Sequence, residues 1–184
     1  MVKKEAHITG GIVVGHDGSR AAAAVVRRAG DLARRLGVTL HVVRVWHVTT
    51  APRPDTMVGG YVPPFAEFEQ AVIDDLKADC AAAGLPDDAD IQLYALRGQA
   101  TERLIEAATG AEMLVVGTRG AGGFKGLRFG STATQVVRHS TVPVLVVLLG
   151  IGLVQTLVAT KPPPEKKEDT LRLVSLYVDE VKAE

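Results

Sequence analysis

The feature that most restricts the fold of this chain is an alternation. Short Val-, Ile- and Leu-rich runs take turns with segments whose apolar residues recur every three or four positions. Gly11-Ile-Val-Val-Gly15 is a run with apolar side chains on both faces, as in a strand covered on both sides. From Ser19 the pattern changes: Val25, Val26, Ala29, Leu32, Ala33 and Leu36 share one stripe, with Ser19 placed as an N-cap and Gly37 just past the end. Val38 to Val48 forms the second strand, Asp90 to Leu96 the third, Glu112 to Gly117 the fourth and Val142 to about Leu148 the fifth. Helices are expected between them. Pro64 opens one whose stripe is Phe65, Phe68, Val72, Leu76 and Cys80, Gln99 to Ala108 forms another, and Gly130 or Ser131 to about Ser140 the last. Strands alternating with helices specify βαβ units with right-handed crossovers, hence a doubly wound α/β fold with a parallel sheet and helices on both faces.

Composition narrows the function. The 184 residues carry 21 basic and 21 acidic groups, so no overall field draws the chain to nucleic acid or to an anionic membrane. Any anion site must be local. One cysteine, Cys80, excludes an internal disulfide framework and a multi-cysteine zinc site, and its place in an apolar stripe makes it a small buried hydrophobe. With no apolar leader in MVKKEAHITG, the expected location is the cytoplasm. Arg20, Arg27, Arg28, Arg34 and Arg35 lie off the stripe of the first helix and read as a solvated face.

In a doubly wound sheet the ligand lies outside the carboxyl ends of the strands where strand order reverses, so the loops after the first and fourth strands matter most. The second of these runs from Thr118 to Phe129. Five glycines from Gly120 to Gly130 accompany Arg119, Lys125 and Arg128, and no acid. Glycine lets backbone N–H groups approach an anion closely, and a helix beginning at Gly130-Ser131 adds free N–H groups and a positive dipole end. A phosphate suits this loop, though a plain connection also tolerates glycine. Neither a P-loop nor a G-x-G-x-x-G after the first strand is present.

Gly117-x2-Gly120-x9-Gly130-Ser131 resembles the ATP-binding pattern G-2x-G-9x-G-[S/T] of the universal stress protein family. Val13-Val-Gly-His-Asp17-Gly-Ser resembles that family's first strand and its acidic residue, and Ser140-Thr-Val-Pro143-Val-Leu-Val-Val its last strand. The resemblance runs from about Gly10 to Val147. It implies a Rossmann-like, five-stranded parallel sheet in the order 3-2-1-4-5, usually a homodimer through the last strand, with ATP across the carboxyl ends. Asp17 and the backbone of Val45 would meet the adenine end. Gly117, Gly120, Gly130, Ser131 and Thr132 would hold ribose and phosphates, with Val116 and Arg119 beside them, and Gly15 would let the base approach. AMP or another adenine nucleotide is an alternative ligand, and Mg can accompany ATP. The resulting expectation is a nucleotide-dependent stress-response or signalling module that hydrolyses ATP slowly if at all. Its rivals are a nucleotide-independent interaction module and a slow metal-dependent hydrolase. The chain departs from the pattern at three places: Glu112-Met113 replaces a common Asp-Leu or Asp-Ile, His16 stands where a small or apolar residue is usual, and Ala133 lacks a hydroxyl some members offer.

Catalytic alternatives are weak. His41 and His47 are six residues, or ~20 Å, apart along one strand, too far to share a metal. A Ser131, His139, Asp17 triad lacks a G-x-S-x-G elbow. Residues 1–149 are expected to complete the nucleotide-binding domain, and 150–184 to form an extension: an apolar stretch suited to a strand or interface segment, a Pro-rich charged linker and an amphipathic end. Pro143, Gly150, Gly152, Gln155 and Thr156 interrupt the stretch from 142 to 160, so membrane association is not expected. The loop from Thr49 to Pro64, with four prolines and two glycines, is long enough for a lid.

Overall fold

A computed structural model describes residues 1–85, 88–118, 130–149 and 154–158. The order of elements is β1 (Val2–Lys3), β2 (Ile12–His16), α1 (Arg20–Leu36), β3 (Leu40–Trp46), α2 (Phe65–Ala82), β4 (Ile91–Arg97), α3 (Ala100–Ala108), β5 (Met113–Gly117), α4 (Ser131–His139), β6 (Val144–Leu149) and β7 (Val154–Val158). One sheet runs β1-β4-β3-β2-β5-β6-β7. Its first six strands are parallel, and β7 is antiparallel to β6.

The expected order 3-2-1-4-5 is present as β4-β3-β2-β5-β6, but among the described residues the sheet has seven strands, not five. β1 pairs with Leu93 and Tyr94 of β4 along only two residues, too few to show a period in sequence. At the other edge the apolar stretch past β6 turns back, so that Leu149 pairs with Val154 and Leu145 with Val158. The linker and amphipathic end of the extension lie outside the described residues. His47 and Val48 fall beyond the end of β3, so His41 and His47 do not share a strand.

Strand periodicity sorts the core into two layers. Ile12 and Val14 of β2, Leu40 and Val42 of β3, and Met113 and Val115 of β5 face α1 and α2, where they meet Val25, Val26, Leu32, Leu76 and Cys80. The intervening Val13, Val43, Leu114 and Val116 face α3 and α4, packing with Leu104, Ala108 and Val136. Ser19 caps α1: its hydroxyl accepts from the N–H of Ala22 at 3.2 Å, and Gly37 closes the helix at φ 65°, a conformation that favours glycine. Pro64 occupies the cap position of α2, one residue before the helix, and offers no side-chain bond.

Candidate functional site

The carboxyl ends of β2, β3 and β5 open on one edge, and β2 lies between the other two. The chain leaves β2 toward β3 by α1 and later enters β5 by α3, so the connections diverge here; this is the switch point where a crevice forms. Register aligns the residues around it. His16 pairs with Arg44, so Asp17 and Val45 come one step beyond that pair. Gly117 pairs with Val147 at the end of β5, and the N–H of Thr118 donates to Val147 O at 3.0 Å.

Asp17 lies exposed in the turn between β2 and α1, where its Oδ1 accepts from the N–H of Ser19 at 3.0 Å. Val45 and Gly117 are half-buried at the rim, and Val116 is buried beneath it. Across the gap, the N–H of Gly130 donates to Thr118 O at 2.6 Å, tying the start of α4 back to the end of β5. Gly130 is the N-cap, and α4 has no side-chain cap bond; Ser131 is exposed and Thr132 half-buried in the first turn. Ser131 is therefore the first helical residue rather than the cap. Among the described residues no side chain caps the first N–H groups of α4, in contrast with α1, whose end is closed by Ser19.

Gly15 sits inside β2, not in the turn. A Cβ there would lie 3.2 Å from Leu104 Cδ1 and 3.6 Å from Val116 Cγ1, so its nearest neighbours are α3 and β5. Arg119, Gly120, Lys125 and Arg128 lie outside the described residues. The structure thus brings together Asp17, Val45, Val116, Gly117, Gly130, Ser131 and Thr132 at one edge, with Gly15 behind them.

A cluster that the motifs did not reveal lies beneath the Asp17 turn. Buried Arg44 donates from Nη1 to Asp75 Oδ2 at 3.0 Å and lies 3.9 Å from Asp79 Oδ2. Buried His16 stands beside it, with Nε2 3.3 Å from Asp79 Oδ2. The available signals were an arginine on the inward face of Leu40-His-Val-Val-Arg-Val-Trp46 and two aspartates four apart on one helix face.

No group of three metal-ligating side chains occurs among the described residues. Ser131 and His139 stand at opposite ends of α4, about 12 Å apart along its axis, so no triad forms. No helix among the described residues is long and apolar enough to cross a membrane. Trp46, at the end of β3, stacks on Phe65 at the start of α2 with ring centroids 5.1 Å apart, while Val58, Tyr61 and Val62 of the intervening loop face solvent.

Comparison with known proteins agrees with this architecture. The model of the universal stress protein family matches residues 10–147. A universal stress protein of Mycolicibacterium smegmatis is 31% identical over 141 residues, covering 74% of this chain and 45% of the relative. One from Mycobacterium tuberculosis H37Rv is 35% identical over 135 residues, covering 73% and 47%. The chain thus spans about half the length of these relatives. Among solved structures, a universal stress protein in complex with cAMP is 27% identical with a TM-score of 0.50, covering 75% of this chain and 94% of that one. One from Archaeoglobus fulgidus is 25% identical with a TM-score of 0.51, covering 76% and 98%. The β3-β2-β5 core of the sheet, the Asp17 turn and the glycine that opens α4 lie within the matched span, and the chain belongs to the universal stress protein family.

Proposed function

We propose that the chain binds an adenine nucleotide across the carboxyl ends of β2, β3 and β5, with ATP as the ligand favoured by the glycine spacing. The observation that carries this reading is the placement of two unlike surfaces along the carboxyl edge of the sheet. On one side stands the Asp17 carboxylate beside the Val45 backbone, and on the other the α4 terminus without a side-chain cap. A carboxylate accepts from an exocyclic amine or a ribose hydroxyl; backbone N–H groups at a helix start donate to phosphate oxygens. A similar protein was solved with cAMP, which supports the adenine class. Within this reading Gly117, Gly120, Gly130, Ser131 and Thr132 hold ribose and phosphates, with Val116 and Arg119 beside them. Gly15 acts indirectly, by letting α3 press close behind the site, and Mg enters with ATP.

Bound nucleotide then acts as a state that partners read in a stress response. Among the described residues no side chain near the α4 terminus offers a general base, and rapid hydrolysis is not part of the proposal. Self-association is proposed to involve β7, since β7 already pairs along the outer edge of β6.

The test is to denature the purified protein, identify released nucleotide by chromatography, and titrate ATP into wild type and Gly130→Val. Wild type is expected to release or bind an adenine nucleotide, and the valine to weaken binding at least tenfold by keeping phosphate off the backbone. Absence of adenine nucleotide in both measurements would replace this reading with a nucleotide-independent interaction module.

A further inference from the structure

Beneath the proposed site β2 and β3 carry charge where the residues before them on the same face are apolar. Toward α1 and α2, β2 presents Ile12, Val14 and then His16, while β3 presents Leu40, Val42 and then Arg44. His16 and Arg44 are each 4% exposed and directly opposite in register. Both touch the turn that carries Asp17. The N–H of Gly18 donates to His16 Nδ1 at 3.2 Å, and Arg44 Nη1 lies 3.4 Å from the same nitrogen. Gly18 has φ +77°, and a Cβ on it would run into the Arg44 guanidinium. Arg44 is in turn anchored to Asp75 of α2 at 3.0 Å. His16 Nε2 lies 3.3 Å from Asp79 Oδ2 but is not aligned for a hydrogen bond, and among the described residues it has no hydrogen-bond partner.

This geometry fixes the ring's tautomer. A nitrogen that accepts a backbone N–H cannot itself carry a proton, so the neutral ring holds its hydrogen on Nε2. Adding a proton at Nδ1 would break the Gly18 bond and set a cation against Arg44. The charged groups facing His16 are Arg44 from β3, Asp79 and Asp75 from α2, and Asp17 from its own turn.

We propose that His16 and Arg44 are positioning residues for the Asp17 site, which together fix the Asp17–Gly18 turn from beneath, and that the turn keeps its shape only while His16 Nδ1 is unprotonated. Affinity at the site then becomes linked to pH through a residue that touches no ligand. Burial first, then the Arg44 guanidinium, holds the His16 pKa below its ordinary 6.5 against the three carboxylates, in keeping with a neutral ring near neutral pH. The ligand consequence rests on the nucleotide reading above; the effect on the turn does not.

The experiment follows the His16 ring and the amides of Asp17, Gly18 and Ser19 by nitrogen-resolved NMR of the full chain, from about pH 8 downward. In parallel, ATP affinity is measured for wild type, His16→Asn and His16→Leu. Asparagine places an amide oxygen near the Nδ1 position and has no proton to gain. Because a terminal phosphate also titrates near pH 6, the readout is the wild-type to His16→Asn affinity ratio at each pH.

The expected results are an Nε2–H ring at about pH 8, a Gly18 amide that moves with the ring's titration, and an affinity ratio near one that falls about fivefold in acid, the worth of one hydrogen bond. His16→Leu should lose about fivefold at every pH. A Gly18 amide indifferent to the ring, a ring carrying its proton on Nδ1 at about pH 8, or an affinity ratio constant with pH would overturn the proposal. Should His16→Asn fail to fold, the wild-type ring and amide titrations decide. Should wild type bind no ATP, the nucleotide reading and the affinity consequence fail together, while the Gly18 response still decides whether His16 holds the turn.

Discussion

Two buried histidines occupy the same sheet in opposite tautomers, and each tautomer is set by a neighbouring hydrogen bond. His16 accepts at Nδ1 from Gly18. His41, on β3, lies 3.1 Å from the Tyr94 hydroxyl; that hydroxyl donates to Gln92 Oε1 at 2.9 Å, so its oxygen is left to accept from His41 Nδ1–H. Burial is the leading cause that lowers the pKa of both, aided by Arg44 at His16 and by Lys3 at His41. In the unfolded chain each takes up a proton near its ordinary 6.5, and in the fold only at lower pH. Between those values the unfolded state binds more protons, so acidification favours unfolding. We expect the melting temperature to be insensitive to these groups above 6.5 and to fall as pH drops below it, with a shallower fall in His16→Asn, measured by calorimetry across pH. Gly18→Ala should cost about 1–3 kcal/mol in urea denaturation, combining left-handed backbone strain with displacement of the Arg44 guanidinium. Gly15→Ala should cost less, since its φ is unstrained and Leu104 at 3.2 Å has only to yield slightly.

The starts of α1 and α4 divide structural from binding roles between two helix ends. Ser19 closes α1, and Ser19→Ala is expected to cost about 1 kcal/mol with little effect on ligand affinity. At α4 the opposite trade is expected: Gly130→Asp adds a capping carboxylate worth a few tenths of a kcal/mol while repelling an anionic ligand. Thermal melts together with ATP titration would read both effects. The alternation of elements was legible because each strand and helix carries its own period, and Ser19, Gly37 and Gly130 mark boundaries by local chemistry. β1 was not legible, since two residues have no period, and the apolar stretch past β6 was legible as a strand or interface segment but not as the antiparallel partner of β6. The Asp17 turn and the α4 terminus were readable as motifs, but Arg44–Asp75 was not: its partners lie 31 residues apart, and sequence does not say which face of α2 covers β3.

Across the whole molecule, equal numbers of acids and bases coexist with locally divided charge. Asp75 and Asp79 of α2 turn toward Arg44 beneath the site edge, while the end of α4 faces the crevice with no acid in its first turn. A separate polar cavity of about 250 Å³, lined by Lys4, Glu5, His7, Arg97, Arg103 and Glu106 among others, lies near the end of β4. Removal of residues 150–184 strips β7 from β6 and should diminish self-association or solubility, as measured by sedimentation; an unchanged oligomer would remove the extension from the interface. The most direct test of the central claim is an ATP titration of the nitrogen-labelled full chain, mapped amide by amide. The account predicts saturable shifts concentrated at Asp17, Gly18, Val45, Gly117, Gly130, Ser131 and Thr132. No saturable binding, or shifts centred instead on Lys4, Arg97 and Arg103, would contradict it.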